Sequence, residues 1–182
     1  HAVRRSAGMF DVSHMSVVDL RGPGCRAFLR YLLANDAGKL KTPGKALYSC
    51  MLRPDGGVID DLIVYFLTED WFRMVVNAAT TDKDVAWMRQ QAAAYEVGVE
   101  PRSDLGMVAI QGPNARAKVE ALLPVDLRES AMALKPFSAA HSGDWFVGRT
   151  GYTGEDGFEL YCAADAAPGL WREVLRAGSA EG

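Results

Sequence analysis

Val17-Val18-Asp19-Leu20-Arg21-Gly22-Pro23-Gly24-Cys25-Arg26 and Met107-Val108-Ala109-Ile110-Gln111-Gly112-Pro113-Asn114-Ala115-Arg116 write one local structure twice. Each is a run of strand-forming residues, a Gly-Pro step, and a helical segment ending in a leucine pair, Leu32-Leu33 in the first and Leu122-Leu123 in the second. Proline fits at a helix start, where its missing N–H costs nothing. The glycine lets the chain turn sharply out of the strand. Matched residues stand 90 apart throughout: 22 with 112, 26 with 116, 32 with 122. A register kept over the whole helix favours duplication over two chance joints. The expectation is a duplicated α+β fold with mixed or antiparallel sheets and flanking helices, its repeats at about 15–95 and 105–178.

Outward from these units, β-branched and aromatic runs bounded by turn residues predict strands over 15–21, 47–51, 58–66, 71–76, 105–111, 145–150 and 158–162. Helices are expected over 24–34, 82–95, 114–123 and 166–177. In the second, Val85, Met88, Ala92 and Tyr95 recur at helical spacing and should face a core. Thr81 is its expected N-cap, with Asp84 three residues on as in a capping box. Asp165 is the expected N-cap of the last helix, with Gly178 past its end.

Composition excludes several classes. The 182 residues are 49% apolar and 24% charged, the balance of an ordinary globular protein. A net charge of −3 gives no general pull toward nucleic acid or an anionic membrane. The apolar runs fall far short of the roughly 20 residues a membrane helix needs. Cys25, Cys50 and Cys162 lack Cys-x-x-Cys spacing, so buried free thiols are expected in place of a disulfide framework or zinc ribbon. His1, His14 and His141 show no metal-ligand spacing, and no metal is expected. The chain opens without methionine straight into patterned sequence and shows no signal or transit pattern, as expected of a trimmed piece.

The segment Gly56-Gly57-Val58-Ile59-Asp60-Asp61-Leu62-Ile63-Val64-Tyr65 is the most informative for chemistry. A Pro-Asp-Gly-Gly turn feeds an apolar strand that carries two carboxylates, where Asp is normally depleted. Side chains alternate, so Asp61, Ile63 and Tyr65 share one face, and Asp60, Leu62, Val64 and Phe66 the other. The two acids point apart and cannot share a proton; one can serve a pocket while its neighbour serves the opposite face. An unpaired buried carboxylate costs several kcal/mol, so such residues are often functional. Equally, both could sit at the strand mouth and accept backbone N–H groups. Tyr65 lies roughly 13 Å along the strand from Asp61. An acid beside an aromatic suits a flat hydrogen-bonding heterocycle.

Three further segments stand out. Gly148-Arg149-Thr150-Gly151-Tyr152-Thr153-Gly154-Glu155-Asp156-Gly157-Phe158-Glu159 has glycine at every third position. It is neither a Walker loop, lacking Gly-Lys-Ser/Thr, nor a dinucleotide fingerprint, since a strand follows it. It reads as turns between strands that project Tyr152 and Glu159, with Glu159 facing away from Phe158 and Leu160. Asp11, Ser13 and His14 fall within four residues, but a hydrolase triad draws its members from separate parts of a fold. A core entry strand with a satisfied His14 is expected instead. Asn77 ends a strand, where it can cap a turn or offer its amide to a ligand.

In combination and in this order, five stretches resemble the T protein (aminomethyltransferase) family of the glycine cleavage system: Gly8 to Met15, Gly56 to Tyr65, Val75 to Ala79, Ile110 to Pro113, and Arg149 to Glu159. The Gly-Met-Phe-Asp-Val-Ser-His-Met and Gly-Tyr-Thr-Gly-Glu-Asp-Gly-Phe-Glu strings are specific together. The resemblance covers nearly the whole chain and implies the family's N-terminal, duplicated folate-binding domain over 1–182. It implies a transferase that moves the aminomethyl carbon from the lipoyl arm of H protein to tetrahydrofolate, a co-substrate, with release of ammonia. By resemblance Asp61 matches the catalytic aspartate. Tyr48, Ile63, Tyr65, Asn77, Tyr152 and Glu159 match positions lining the folate pocket, with Glu159 on the pterin's donor edge. The partners implied are lipoylated H protein and tetrahydrofolate, without nucleic acid or membrane. The compartment implied is the bacterial cytoplasm or the mitochondrial matrix.

The family's chain continues beyond Gly182 into a Gly-x-Arg-Asp-x-x-Arg segment and a C-terminal barrel-like domain. The 182 residues lack these, so poor folate binding and no activity of the piece alone are expected. Two relatives offer alternatives. A folate-binding module of dimethylglycine or sarcosine demethylases shares a related Gly-Tyr-Thr-Gly-Glu string, but the Glu155-Asp156-Gly157 continuation looks more like the T protein. A non-catalytic folate-binding protein of iron–sulfur maintenance carries a Lys-Gly-Cys-Tyr-x-Gly-Gln string, absent here.

Overall fold

The computed structural model describes residues 1–179; residues 180–182, the end of the expected domain, lie outside the described residues. Its strands are β1 (Gly8–Asp11), β2 (Ser16–Arg21), β3 (Ala46–Leu52), β4 (Val58–Thr68), β5 (Trp71–Val76), β6 (Gly98–Pro101), β7 (Leu105–Gln111), β8 (Ser138–Ser142), β9 (Trp145–Arg149) and β10 (Gly157–Ala163). Its helices are α1 (Ala2–Arg5), α2 (Cys25–Leu32), α3 (Thr81–Ala92), α4 (Ala115–Val119), α5 (Val125–Met132) and α6 (Ala167–Gly178). The chain divides into two units. One is continuous, His14–Ser103; the other combines His1–Ser13 with the chain from Asp104 onward.

Each unit holds a five-stranded sheet. The order is β3-β4-β5-β2-β6 in the continuous unit and β8-β9-β10-β7-β1 in the split unit. Every pairing is antiparallel, which gives the α+β class expected and makes the sheets antiparallel and not mixed. In both, a three-strand meander is followed across the sheet by the strand that precedes the Gly-Pro step, and then by a short edge strand. That edge strand follows the unit's other strands in one case (β6) and precedes them in the other (β1).

The Gly-Pro joints are alike in detail. Gly22 has φ +134° and Gly112 φ +130°. The Gly22 N–H donates to Asp70 O at 2.9 Å, and the Gly112 N–H to Asp156 O at 2.8 Å. A Cβ on Gly22 would lie 2.1 Å from Glu96 O, and one on Gly112 2.4 Å from Ser6 O. The backbone passes so closely here that only glycine fits.

The continuous unit packs α2 and α3 against one face of its sheet. Cys25, Phe28, Leu29 and Leu32 form the buried stripe of α2, and Val85, Met88 and Ala92 that of α3. They meet Val18 and Leu20 of β2, Leu62, Val64 and Phe66 of β4, and Phe72, Met74 and Val76 of β5, each set in the two-residue period of a strand. Burying a side chain such as Phe28 fully contributes about 1.5–3 kcal/mol. In the split unit, Ala115, Val119, Leu127, Ala131, Leu170 and Val174 pack on Val108, Ile110, Val147, Phe158, Leu160 and Cys162.

Several local expectations change. The helix expected over 114–123 is α4 followed by a 3-10 turn, Glu120–Leu122, and the one expected over 82–95 ends at Ala92 with Tyr95 still packed on the core. Thr81 is the first residue of α3 and not its cap; Thr80 holds the N-cap position without a side-chain cap bond, and Asp84 is fully buried, so the capping box does not form. Ala166, not Asp165, precedes α6 at its N-cap, and Gly178 is the helix's last residue. His14 sits exposed in a turn before β2, so it is not a core histidine. Ser13 Oγ binds Met107, donating to its carbonyl at 3.2 Å and accepting its N–H at 3.0 Å, a purely structural pairing. Cys25, Cys50 and Cys162 are free thiols; Cys25 and Cys162 are buried as expected, whereas Cys50 is only half-buried.

Candidate active site

The face of the continuous unit's sheet turned away from α2 and α3 carries Tyr48 and Cys50 on β3, Asp61, Ile63 and Tyr65 on β4, and Arg73 and Val75 on β5, as strand alternation requires. The β3–β4 hairpin sets this arrangement. Its turn is closed by the Gly56 N–H to Arg53 O at 2.9 Å, the Arg53 N–H to Gly57 O at 2.8 Å, and the Gly57 N–H to Asp55 Oδ1 at 2.9 Å. The resulting register pairs Cys50 with Asp61 and Tyr48 with Ile63. Tyr48 and Asp61 are thus diagonal neighbours, within reach of a long side chain.

Tyr48 uses that reach: its hydroxyl donates to Asp61 Oδ2 at 2.9 Å. The hydrogen bond to Asp61 raises the Tyr48 phenol above its ordinary value, since ionising it would set two anions together. Both side chains are exposed, Tyr48 by 50%. Asn77, at the end of β5, completes the group. Its Nδ2 donates to Asp61 O at 3.1 Å and stands 3.3 Å from Asp61 Oδ1. Ile63 lies half-buried on the next row of the sheet, flanked by Tyr48 and Val75. Tyr48, Asp61, Ile63 and Asn77 are therefore brought together, an acceptor carboxylate flanked by a phenol, an aliphatic wall and an amide.

Asp60 turns to the other face and is 92% covered, at 8% relative exposure. Its Oδ2 accepts the Asn77 backbone N–H and the Thr80 hydroxyl, each at 3.0 Å, and its Oδ1 accepts Asn77 Nδ2 at 2.9 Å. Burial works to raise this carboxyl, but the bonds from Asn77 and Thr80 hold it below the usual carboxylate range. Asp60 thus takes the turn's backbone N–H, whereas Asp61 stays available at the surface. Asp84 lies behind Asp60, fully buried, with neither carboxylate oxygen in hydrogen-bond contact. Burial and then the neighbouring Asp60 carboxyl push it up to about 6. Strand alternation separates the two acids; the tie from Asp60 to Asn77 depends on where β5 ends and had no sequence signal.

Tyr65 lies on the Asp61 face but is fully buried. On its row across the sheet stand Arg73 and Asp19, paired at 2.7 and 3.0 Å, and Arg102 reaches Asp19 at 2.9 Å. Tyr65 therefore belongs with a buried ionic cluster more than with the exposed group around Asp61.

Tyr152 and Glu159 belong to the split unit. Glu159 faces away from Phe158 and Leu160, as expected, and is 7% exposed; it accepts the Thr150 hydroxyl at 2.7 Å. Tyr152 is 50% exposed, with its ring 5.8 Å from that of Phe10. The side chain of Gln111, fully buried, holds the Gly-rich turn in place: its Oε1 accepts the Tyr152 N–H at 2.9 Å. The glutamine of the Gln-Gly-Pro string was visible in the sequence; its bond across 41 residues was not. Among the described residues no group of three or more His, Cys, Asp or Glu could hold a metal, and no helix is long and apolar enough to cross a membrane.

The whole chain, residues 1–182, matches the family model described as the GCVT N-terminal domain, and the chain belongs to that family. It is 57% identical to an aminomethyltransferase of Nitrosomonas eutropha over 182 residues, 99% of this chain and 50% of that protein. It is 60% identical to one of Bordetella petrii over 181 residues, 98% of this chain and 49% of that protein. The structure is similar to the crystal structure of glycine cleavage system aminomethyltransferase T from Bartonella henselae, with a TM-score of 0.86 and 36% identity over 95% of this chain and 46% of that one. A chain of the heterotetrameric sarcosine oxidase from Corynebacterium sp. U-96 shares the fold at a TM-score of 0.58, with 16% identity over 98% of this chain and 88% of that one. The chain spans about half the length of the curated relatives it matches.

Proposed function

We propose that this chain is the N-terminal, duplicated folate-binding part of an aminomethyltransferase of the glycine cleavage system. The complete protein moves the aminomethyl carbon from the lipoyl arm of H protein to tetrahydrofolate and releases ammonia and the dihydrolipoyl thiol. The observation that carries this reading is the exposed Asp61 carboxylate, braced by the Tyr48 hydroxyl at 2.9 Å, in a chain nearly 60% identical to aminomethyltransferases.

The residues present fit a reduced pterin. An acceptor carboxylate at the surface suits a heterocycle edge rich in N–H groups, and the phenol of Tyr48 with the side chain of Ile63 offers an apolar wall. The amide of Asn77 supplies a further polar contact. Tetrahydrofolate supplies the nitrogens that take up the carbon. Asp61 orients the attacking nitrogen, offers negative charge where positive charge develops, and accepts the proton that nitrogen loses. Tyr48 and Asn77 fix the two carboxylate oxygens, so little reorganisation remains at the moment of reaction.

The test uses the full-length protein with aminomethyl-loaded H protein and tetrahydrofolate. Asp61→Asn should lower turnover by about 100-fold or more, the scale of losing a positioned base. Turnover equal to wild type would end the assignment of Asp61.

A further inference from the structure

We propose that Asp60 is a positioning residue for Asp61 and acts through the side chain of Asn77; this deepens the functional reading above and rests on it. The two acids are adjacent in sequence and point to opposite faces of β4, so neither can set the other directly. Asn77 is the group that touches both. Its Nδ2 donates to Asp60 Oδ1 at 2.9 Å, to Asp61 O at 3.1 Å, and reaches Asp61 Oδ1 at 3.3 Å. Its backbone N–H donates to Asp60 Oδ2 at 3.0 Å. Asp60 thus grips Asn77 at two points and fixes the amide plane, with the oxygen turned away from the carboxylates and the hydrogens toward them.

The geometry explains why an acid stands at position 60. A neutral Asn there would set its own N–H group against the Asn77 side-chain amide or, turned the other way, against the Asn77 backbone N–H, losing the oxygen that now accepts both that N–H and the Thr80 hydroxyl. The Thr80 hydroxyl, which also donates to Asp60, anchors the hub to the start of α3. The ionisable groups around the hub are Asp61 on its own strand, Asp84 behind it, and Lys83, whose Nζ donates to Ile59 O at 2.6 Å. With Asn77 loosened, Asp61 keeps Tyr48 alone and is free to rotate about its side-chain bonds.

Tyr48 reports on this arrangement without any turnover. Its phenol is raised foremost by the hydrogen bond to Asp61, so an ultraviolet titration, taken as the difference from Tyr48→Phe, reads how firmly Asp61 is held. In the full-length protein, Asp60→Asn and Asn77→Ala should each bring the Tyr48 titration down toward that of an ordinary tyrosine. Asn77→Ala leaves the Asp60 charge in place, so a fall there marks loss of position and not loss of charge; it also decides the matter where Asp60→Asn fails to fold. Asp60→Asn should lower kcat about 10- to 100-fold with KM for H protein unchanged, the scale of a slightly misplaced catalytic group, and should add nothing in an Asp61→Asn background. A Tyr48 titration identical to wild type in both variants, or a full additional loss on top of Asp61→Asn, overturns the proposal. Wild-type turnover by Asp61→Asn with a shifted Tyr48 titration would instead overturn the catalytic role of Asp61 and leave its positioning by Asp60 standing.

Discussion

The Tyr48 hydroxyl and Asp61 Oδ2 meet at 2.9 Å across neighbouring strands, both exposed on the sheet face that no helix of their unit covers. The contact links a residue of the hairpin's first strand to the acid of its second, so the turn between them governs the site. Tyr48→Phe removes the donor and leaves the ring. If the phenol orients the carboxylate, the full-length Tyr48→Phe variant should lose about 10-fold in kcat while folate affinity, measured by calorimetry, changes little. Loss of affinity with kcat intact would make Tyr48 a wall of the pocket and no brace for Asp61.

A pH effect on stability follows from Asp84. Its folded-state pKa, about 6, lies above the ordinary 3.8, so folding favours the protonated form. The stability this group contributes is fully present below about pH 4 and is lost as pH rises through about 6. Above that, an ionised and buried Asp84 faces the like charge of Asp60. Asp84→Asn abolishes the ionisation and offers Asp60 an N–H donor. At pH 8 the variant should be more stable than wild type by about 1–3 kcal/mol, a range discounted for solvent screening, and the advantage should vanish near pH 4. Urea denaturation at both pH values measures this. A variant less stable than wild type at pH 8 would refute the account.

Much of this site was legible in the sequence. The alternation of Val58 to Phe66 separates Asp60 from Asp61 before any coordinates, because one residue along a strand always reverses the side chain. The Gly-Pro joints announce themselves because the chemistry of glycine and proline is local. What the sequence hid depends on distant partners. The edge strands β6 and β8 are four and five residues long, and Gly-Val-Glu-Pro and Ser-Ala-Ala-His-Ser carry little β propensity of their own; their neighbours recruit them. Asp84 fits a capping pattern at three residues' spacing, yet helix packing turns it inward, to where Asp60 lies. The Tyr48–Asp61 contact needs the hairpin register, which the loop geometry sets and composition does not.

The buried ionic cluster gives a prediction about the sheet itself. Asp19 is fully buried and Arg73 5% exposed, and two hydrogen bonds join them. Burial works to raise the Asp19 carboxyl, but Arg73 and then Arg102 hold it below the usual range. Its stabilising contribution is therefore present above the unfolded pKa and lost as pH falls through the lower folded one. Arg73→Met would leave the buried Asp19 charge with Arg102 at 2.9 Å as its remaining close partner and should cost about 2–3 kcal/mol, less than a wholly unpaired charge would. Arg73→Met combined with Asp19→Leu removes both charges and should recover a large part of that loss. Denaturation midpoints of the two variants test the point; a double variant as unstable as the single one would mean that packing, and not the weakened pairing of the Asp19 charge, sets the cost.

A glycine opens the Gly-Pro joint of each unit, Gly22 in one and Gly112 in the other. Gly22 and Gly112 occupy φ near +130°, and each faces a backbone carbonyl at a distance no Cβ tolerates, Glu96 O in one unit and Ser6 O in the other. Alanine at either position must adopt a backbone conformation that side chains resist and must also push that carbonyl away. Each of Gly22→Ala and Gly112→Ala should therefore destabilise by about 1–3 kcal/mol. Because Gly22 serves the continuous unit and Gly112 the split unit, amide hydrogen exchange should show the loss of protection first in the unit that carries the substitution. If the strain arises from the shared joint, the two variants should shift their denaturation midpoints in the same direction and by similar amounts. A Gly112→Ala variant as stable as wild type, beside a damaged Gly22→Ala, would mean that the second joint can open without loss and that the likeness of the two turns carries no common energetic demand.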